Sequence, residues 1–411
     1  MNTKIKFSKK KNIYIMSKIN ENGFWEDTEA SSQHCYDETL SEALLIFFKT
    51  EKVKTLCDFG CGMGSYVQHL KKNNLNVSGY DGNPNTPELT NNMCDVLDLS
   101  KPIKFNTPFS WVMSLEVGEH LPKKIEDIFI NNLHINNENG MVLSWAIKGQ
   151  GGHGHINEQN NDYIKSKICK LGYINDIETE EQLRKHSSLW WFNNTIMVFR
   201  KFHNYFPNID FKKNLMFEHG WFNNNNKLIF NSIIDEYSIK NMCELGSWVG
   251  LSSKYFSSKI SGKLYCIDLW NNNFIIHKED NEYIDNQYSN NDKLLLKDRN
   301  LYLTFLHNLY EFKNMVVPIK TDTISGIEIL SNQKIQIDLF YIDANHTYNS
   351  VKKEIVLIKE KFPSSLIFGD DYTFPGVKKA VDELATKYDN IQLVVKLPCW
   401  FYKPIFEPPF S

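Results

Sequence analysis

Short apolar runs alternate with amphipathic stretches along most of the chain, a pattern that predicts strands separated by helices. In the first half the apolar runs are FSWVMSL, GMVLSWA and TIMVFRK, and the helix-like stretches are KKIEDIFINNL and NDYIKSKICKLGY. In the second half the runs are MVVPI, IDLFYIDA, SSLIFG and IQLVVKL, separated by SGIEIL, SVKKEIVLIKE and PGVKKAVDELATKY. This alternation predicts an α/β fold, with a mostly parallel sheet covered by helices on both faces.

The same local unit stands near the start of each half. It reads VKTLCDFGCGMGSYVQHLKK and then NVSGYDGNP in the first half, and IKNMCELGSWVGLSSKYFSSK and then KLYCIDLWN in the second. Each copy has an apolar run, an acid, a glycine loop, an amphipathic helix, a second apolar run and another acid. The aligned pairs are Asp58 and Glu244, Gly60 and Gly246, Gly64 and Gly250, and Asp81 and Asp268. So many elements in one order indicate two related domains in tandem.

The length of 411 residues also suits two domains. The segment HNYFPNIDFKKN, at about 202–214, contains the predicted boundary, and we assign the domains to 1–205 and 206–411. Residues 271 to about 310 are polar and aromatic without a clear strand pattern. We expect this stretch to form a lid over the second site.

Composition narrows the function classes. A net charge of −3 disfavours a nucleic-acid partner, and no apolar run is long enough to span a bilayer. The basic start lacks the apolar region of a signal peptide, and the eight cysteines are scattered without a CxxC pair, so we expect a cytoplasmic protein without a structural zinc site. The expected partner is a small-molecule or glycan acceptor rather than nucleic acid or membrane. A homo-oligomeric state stays open.

The first glycine loop reads D-F-G-C-G-M-G, with an acid two positions before three alternate glycines. A dinucleotide-binding loop would read G-x-G-x-x-G instead. The observed spelling resembles motif I of the class I S-adenosylmethionine-dependent methyltransferases, which have a Rossmann-like fold. The resemblance implies that the loop holds the methionine end of the cofactor, that the acid after the second strand holds the ribose, and that a further acid meets the adenine. The corresponding residues are Asp58, Gly60, Gly62, Gly64, Asp81 and Asp95.

The second loop, E-L-G-S-W-V-G-L-S-S, has Trp248 where the first loop has its middle glycine. It resembles the variant loop of metal-dependent O-methyltransferases. The cofactor-binding residues implied by this resemblance are Glu244, Gly246, Gly250, Ser252 and Asp268.

Two strand ends in the second half carry carboxylates. IDLFYI is followed by Asp343, and SSLIFG is followed by Asp370 and Asp371. If these strands are neighbours, three carboxylates meet at one sheet edge, and a cation such as Mg²⁺ would neutralise them. The patterns I-D-x-x-H-x-Y and G-D-D-Y resemble those of metal-dependent sugar and macrolide-sugar O-methyltransferases. That resemblance implies the three aspartates as magnesium ligands, Asp343 taking part in catalysis, and His346 as the base.

A structural alternative exists for these residues. Asp370 and Asp371 would then only cap the helix that begins near PGVKKAVDELA, and His346 would only belong to the neighbouring helix.

The first half offers less specific chemistry. SLEVGEHLP contains Glu116, Glu119 and His120, for which helix capping is the alternative to a role at the site. GQGGHGHIN carries His153 and His155 on a glycine-rich loop. We favour a base role for one of these two histidines over a metal site, because no carboxylate or cysteine lies nearby in sequence. These segments resemble a group of methyltransferase-like proteins, which implies the fold but no substrate.

The aromatic cluster LWWF at 189–192 is predicted to be core rather than a sugar-stacking platform.

We therefore predict a bifunctional S-adenosylmethionine-dependent O-methyltransferase of sugar hydroxyls, on a nucleotide-sugar or glycan, with a Mg²⁺-dependent second domain. The first alternative is one active domain beside a degenerate domain that binds cofactor or acceptor, with a non-sugar small molecule as substrate. A protein with two binding modules is a further alternative, in which the carboxylate cluster would lack a purpose. A nicotinamide oxidoreductase is disfavoured by both loop spellings.

Overall fold

A computed structural model describes residues 19–26, 34–207, 218–270 and 300–405. The chain divides into two compact units, Met1–Lys201 and Phe202–Ser411. Each unit contains one seven-stranded sheet. No helix in the described ranges combines the length and apolar character needed to cross a membrane.

The first unit alternates strands and helices along the chain. Its strands are β1 (Leu56–Phe59), β2 (Val77–Asp81), β3 (Asp95–Val96), β4 (Phe109–Ser114), β5 (Asn137–Leu143), β6 (Tyr173–Asn175) and β7 (Met197–Lys201). Its α-helices are α1 (Glu38–Thr50), α2 (Ser65–Lys72), α3 (Thr86–Leu89), α4 (Glu126–Ile135), α5 (Asn161–Lys170), α6 (Ile177–His186) and α7 (Phe192–Thr195). The sheet order is β3-β2-β1-β4-β5-β7-β6, in which only β7 runs antiparallel to its neighbours.

Two apolar clusters of the first unit explain why its central strands are apolar throughout. One cluster includes Leu44, Phe48 and Trp111, and the other includes Phe129 and Trp145. Strand β1 contributes to both clusters, and all four of its residues are buried. A strand covered on both faces has no solvent side, so it shows a continuous apolar run instead of alternation.

Asp37 joins two distant segments of the first unit. Its Oδ1 caps α1 by accepting from the backbone N–H of Leu40 at 2.9 Å. Its Oδ2 accepts from the Oγ of Ser187 at 2.6 Å and from the N–H groups of Ser188 and Leu189 at 2.8 and 2.9 Å. Burial opposes the charge, but these hydrogen bonds hold the pKa of Asp37 well below its usual range. One carboxylate therefore fixes the segment that leads into residues 189–192.

The second unit repeats this plan. Its strands are β8 (Met242–Leu245), β9 (Leu264–Asp268), β10 (Val316–Lys320), β11 (Leu339–Ile342), β12 (Leu366–Gly369), β13 (Ile391–Lys396) and β14 (Cys399–Pro404). Its helices are α8 (Asn224–Glu236), α9 (Leu251–Ser257), α10 (Leu301–Asn308), α11 (Thr323–Asn332), α12 (Tyr348–Lys361) and α13 (Pro375–Lys387). The sheet order is β10-β9-β8-β11-β12-β14-β13, again with one strand, β14, antiparallel to its neighbours.

Both sheets have the same strand order, and this confirms the predicted pair of Rossmann-like α/β domains. Two strands were not predicted. Strand β6 has only three residues, and the short apolar run of β14 stands between Pro398 and Pro404, which interrupt a strand pattern. Nevertheless β14 pairs with both β12 and β13, and its Trp400 and Tyr402 are buried.

The stretch predicted as a lid lies mostly outside the described residues, which omit 271–299. The part that is described forms α10, whose Leu301, Phe305 and Leu306 are buried in the apolar core of the second unit. Asn308 donates from Nδ2 to the carbonyl oxygen of Val249 at 2.7 Å, close to the second glycine loop. Residues 301–308 are thus a core helix and not a lid.

Glu354 on α12 makes the stability of the second unit depend on pH. It is buried, its Oε1 accepts from the Oγ1 of Thr323 at 2.6 Å, and its Oε2 has no hydrogen-bond partner among the described residues. Burial raises its pKa to about 7. The folded state therefore holds this proton more tightly than the unfolded state, and the resulting stabilisation is complete at low pH and lost as pH rises to the folded pKa.

We expect the second unit to lose on the order of 3 kcal/mol between about pH 4.5 and pH 8 through Glu354 alone. Glu354→Gln keeps the acceptor for Thr323 and abolishes the titration. Urea unfolding of both proteins at several pH values measures this difference. The same pH dependence in wild type and Glu354→Gln would contradict the assignment.

Candidate functional site

The glycine loop of the first unit connects β1 to α2 and is closed by the carboxylate that ends β2. The two oxygens of Asp81 accept hydrogen bonds from the backbone N–H groups of Gly62 and Asn83, each at 2.9 Å. The N–H of Gly60 donates to the carbonyl oxygen of Tyr80 at 2.7 Å. The loop is thereby fixed at the carboxyl end of the strands, where ligands bind in open α/β sheets.

A cavity of about 630 Å³ borders this loop, a volume within the usual range for small-molecule sites. The predicted site residues that line it are Asp58, Gly60, Gly62, Asp81, His120, His153 and His155. Gly64 does not line the cavity but immediately precedes α2. Asp95 is exposed on β3 and does not line it either, whereas Asp98 does. The acid expected near the adenine is therefore better placed at Asp98 than at Asp95.

Trp248 occupies the place in the second loop that Gly62 has in the first, and it adopts the same backbone conformation. The φ angle is +46° at Trp248 and +52° at Gly62, both left-handed. Asp268, at the end of β9, accepts from the N–H groups of Trp248 and Trp270 at 2.8 Å each. A left-handed conformation costs a residue with a side chain roughly 1–2 kcal/mol, which these hydrogen bonds offset. The missing glycine thus leaves the loop geometry intact.

Glu244 and Ser252 bond to each other. Glu244 is buried, and its two carboxylate oxygens accept from the hydroxyls of Ser252, at 2.5 Å, and Ser253. Burial raises the pKa of Glu244 to about 7 despite these bonds. The bonds between Glu244 and the two serines therefore fix the start of α9, which Gly250 immediately precedes. In this conformation Glu244 and Ser252 support the glycine loop.

The carboxyl ends of β11 and β12 bring three side chains of the second unit together. These strands are parallel neighbours, so Asp343 and Asp370 follow at the same sheet edge, as predicted. One ligand atom each from Asp343, His346 and Asp371 lies within 4.8 Å of the others. Nε2 of His346 is 2.9 Å from Oδ2 of Asp371 and 3.8 Å from Oδ1 of Asp343. We call these three residues the Asp–His–Asp cluster.

The charges of the cluster are unbalanced. Burial opposes protonation of His346, but Asp343 and Asp371 raise its pKa to about 10. Burial and the same two carboxylates raise the pKa of Asp370 to about 6. Carboxylates that lie close together repel one another, so they favour the binding of a proton or of a metal cation. Because carboxylate oxygens are the donors that Mg²⁺ prefers, the donor set of the cluster fits that ion.

Asp370 lies beneath this cluster and is not part of it. It is only 6% exposed, its Oδ2 accepts from Nδ2 of Asn226 at 2.5 Å, and its Oδ1 accepts from the N–H of Asp371 at 2.8 Å. Both oxygens therefore have protein donors. The described geometry offers Asp343 and Asp371 as ligands and gives Asp370 a supporting position, which differs from the predicted set of three aspartates.

Helix capping does not account for these residues. Thr347 caps α12 by accepting from the N–H of Ser350, and the residue before α13 is Phe374, which makes no side-chain cap. In the first unit, Val117 precedes the 3-10 helix that contains Glu119, and it makes no side-chain cap either. The capping alternatives considered for both halves are therefore not supported.

Histidines and aromatic residues form one wall of the cavity in the first unit. His120 is largely buried, and burial together with His155 lowers its pKa to about 4, so it is neutral at pH 7. Trp25 and His34, which the sequence did not single out, also line the cavity with ring centroids 4.7 Å apart. They belong to no recognisable motif, so only the fold reveals their position.

The LWWF cluster is divided between core and cavity. Phe192 is buried in an apolar cluster, as predicted, but it also lines the cavity. Trp190 and Trp191 line the cavity as well, and Trp190 is 56% exposed. The prediction of a core role is therefore wrong for Trp190.

Comparisons with solved structures find relatives of one domain at a time. The methyltransferase domain of bacterial CtHen1 is 16% identical, with 40% of this chain and 98% of that chain covered and a TM-score of 0.29. Magnesium protoporphyrin IX methyltransferase from Synechocystis PCC 6803 is 16% identical, with coverages of 46% and 90% and a TM-score of 0.32. An amino pentose methyltransferase from Micromonospora echinaspora is 12% identical, with coverages of 40% and 90% and a TM-score of 0.31. These similarities say nothing about the acceptor of this protein.

Family models assign both units. A model described as a methyltransferase domain matches residues 32–144, and a second model with the same description matches residues 243–372. No curated protein matches the sequence significantly. Each match contains the glycine loop and the acid after the second strand, and the second also contains the Asp–His–Asp cluster. The chain thus carries two methyltransferase domains in tandem.

Proposed function

We propose that the protein O-methylates sugar hydroxyls, on a nucleotide-sugar or a glycan, and that its second domain requires Mg²⁺. The observation that carries this proposal is the Asp–His–Asp cluster at the carboxyl ends of β11 and β12. The cluster adjoins the cofactor loop, because a Cβ on Gly246 would lie 2.0 Å from the carbonyl oxygen of Asp343. A metal ligand and the cofactor loop are therefore neighbours in the fold.

Asp343 and Asp371 are the residues that would hold the ion. Bound there, Mg²⁺ would supply positive charge that lowers the pKa of a coordinated hydroxyl. His346 is placed to take the hydroxyl proton at Nε2 once the two carboxylates beside it are neutralised. The cofactor would supply an activated methyl group on a sulfonium, and the deprotonated hydroxyl oxygen would accept that methyl group.

Sugars fit this arrangement because they present adjacent hydroxyls that bind one ion together and so fix the reacting oxygen. Orientation contributes much of the acceleration when the methyl donor is already activated. The resemblance of the I-D-x-x-H-x-Y and G-D-D-Y segments to those of metal-dependent sugar O-methyltransferases supports the same class of acceptor.

In the first domain, Asp58 and the loop closed by Asp81 would hold the cofactor, and a histidine of the cavity wall would serve as base. The second methylation would then use a different hydroxyl, because the two sites are lined by different side chains. A chain in which only one domain transfers methyl groups is the competing reading.

The test is methyl transfer from labelled S-adenosylmethionine by the full chain to sugars, nucleotide-sugars and phenols, with and without EDTA. We expect labelled sugar, a loss of one product in EDTA, and its recovery with added Mg²⁺. Asp268→Asn should remove the metal-dependent product and Asp81→Asn the other.

Unchanged transfer in EDTA would overturn the metal requirement, and transfer to phenols alone would overturn the acceptor class. If Asp81→Asn leaves every product unchanged, the first domain is not a second methyltransferase.

A further inference from the structure

Glu119, His120 and His155 of the first domain converge although they lie on separate segments. Glu119 and His120 belong to the 3-10 helix Gly118–His120 after β4, and His155 lies on the glycine-rich loop after β5. One ligand atom from each lies within 4.8 Å of the others. The rings of His120 and His155 are nearly perpendicular, with centroids 4.9 Å apart.

The burial of Glu119 is poorly compensated. Its side chain is 0% exposed, and neither carboxylate oxygen has a hydrogen-bond partner among the residues that the structure describes. Nδ1 of His120 is likewise buried without a partner there. An isolated buried carboxylate costs several kcal/mol, so such groups are normally paired or bound to a metal. The unpartnered oxygens of Glu119 are therefore groups that a bound cation would stabilise.

Glu116 lies close enough to interact with Glu119, but as a second acid it brings no positive charge. Its own oxygens accept from Nε2 of Gln150 at 2.9 Å and Oγ1 of Thr195 at 3.1 Å. The neighbourhood thus increases the need for positive charge at Glu119.

Hydrogen bonds of the glycine-rich loop place His155 beside Glu119. The carbonyl oxygen of Glu119 accepts from the N–H groups of Ile156 and Asn157 at 2.9 Å each, which ties the loop to the 3-10 helix. Oε1 of Glu158 lies 3.3 Å from Nδ1 of His155, and a carboxylate behind a histidine is a common support for a metal ligand. At Gly152 a Cβ would lie 2.3 Å from Nε2 of His155, so the ring has room only beside glycine.

We propose that Glu119, His120 and His155 form a second metal site, one that binds a divalent transition-metal ion rather than Mg²⁺. Two imidazoles and one carboxylate suit Mn²⁺, Co²⁺, Ni²⁺ or Zn²⁺, whereas Mg²⁺ favours oxygen donors. This proposal goes beyond the proposed function and does not depend on the metal site of the second domain.

The site would act on the acceptor of the first domain. His120 and His155 both line the cavity of about 630 Å³ that also contains the cofactor loop. An ion with three protein ligands keeps open positions for an acceptor oxygen. His34 and His153 line the cavity outside the cluster, and either of them would be placed to accept a proton.

The test uses the full chain carrying Asp371→Asn, so that the site of the second domain is impaired. After removal of metals, Co²⁺ and Mg²⁺ are titrated separately by calorimetry. We expect one Co²⁺ site that binds at least ~10-fold more tightly than Mg²⁺. Adding Glu119→Gln or His155→Gln should weaken Co²⁺ binding at least ~10- to 100-fold. The matched control is His153→Gln, on the same loop, which should leave Co²⁺ affinity within about twofold.

Thermal unfolding separates a metal site from a merely structural carboxylate. Co²⁺ should raise the Tm of the Asp371→Asn chain and leave the Tm of its Glu119→Gln derivative unchanged. Without metal, Glu119→Gln should be about as stable as its parent, because it replaces a buried acid by a neutral side chain of the same shape. The proposal would be overturned if the Asp371→Asn chain and its Glu119→Gln derivative bound Co²⁺ with equal affinity. It would also be overturned if His153→Gln lost as much Co²⁺ affinity as Glu119→Gln. Failure of the metal site in the second domain would not affect these readouts.

Discussion

Replacing Gly246 by alanine is expected to abolish methyl transfer by the second domain and to destabilise that domain by about 2–4 kcal/mol. Gly246 has a φ of +87°, and a Cβ there would lie 2.0 Å from the carbonyl oxygen of Asp343 and 2.7 Å from Cα of Ala344. Both contacts are with backbone, which cannot rotate away as a side chain can. Relief of the clash requires movement of the strand end that carries Asp343, and this separates the cofactor loop from the metal ligand.

The matched variant is Gly60→Ala in the first domain. Its φ is +86°, but its Cβ would meet the side chain of Val117, with Cγ2 at 2.3 Å. Shortening Val117 to alanine should restore much of the stability lost in Gly60→Ala, whereas Ala344→Gly should not rescue Gly246→Ala. Denaturant unfolding and methyl transfer by all four chains measure these effects. Wild-type transfer by the second domain of Gly246→Ala would contradict the assigned contact.

Asp371→Asn is expected to lower metal-dependent methyl transfer by about 100-fold or more. The substitution keeps the shape of the side chain and removes one of the two charges beside His346. The oxygen of Asp371 is 2.9 Å from Nε2 of that histidine, so the pKa of His346, raised to about 10 in the wild-type cluster, should also fall. NMR titration of the histidine ring measures this pKa, and activity against Mg²⁺ concentration measures the metal affinity.

Asp382→Asn provides the control for the loss of one aspartate charge. Asp382 lies on α13, pairs with Lys378 at 2.8 Å and accepts from the hydroxyl of Tyr372 at 2.5 Å, and it is not a member of the Asp–His–Asp cluster. We expect it to retain wild-type transfer and magnesium dependence, because exposed ion pairs contribute little. A similar loss of activity in Asp382→Asn, or full activity in Asp371→Asn, would show that the cluster is not the metal site.

The fold was predictable because each buried strand leaves a local signal. Strand β11 is apolar along its whole length, β1 is apolar except for Asp58, and the helices between the strands have one apolar face. Strand β14 escaped prediction because its flanking prolines and lysine obscure an apolar run whose burial depends on strands β12 and β13. Whether such a run forms a strand depends on its pairing with distant segments, and the local sequence carries no information about that pairing.

The sites were predictable as far as they follow directly from strand ends. Asp81, Asp268 and Asp343 each lie at the end of a strand or immediately after it, and the sheet places them at its ligand-binding edge. The direction of a side chain does not follow from this rule. Asp370 and Asp371 are adjacent in sequence, but one accepts hydrogen bonds from its surroundings in the core and the other joins the cluster.

The contact between His155 and Glu119, which lie on segments far apart in the chain, could not be predicted from the sequence either. The prediction that no carboxylate lies near His155 in sequence was wrong, because Glu158 follows three residues later and lies 3.3 Å from Nδ1 of its ring. The loop also folds back onto Glu119, which is far away along the chain. Backbone hydrogen bonds from Ile156 and Asn157 determine that contact, and neither residue carries a motif.

Asp37 has a consequence for how the first domain can evolve. The segment leading into Trp190 and Trp191 is anchored through the hydroxyl of Ser187 and two backbone N–H groups, all bonded to the Asp37 carboxylate. The exposed side chain of Trp190 takes no part in these bonds, so it can be substituted while the backbone keeps its place. Selection for a new acceptor can therefore change the surface of the cavity wall without rebuilding the domain.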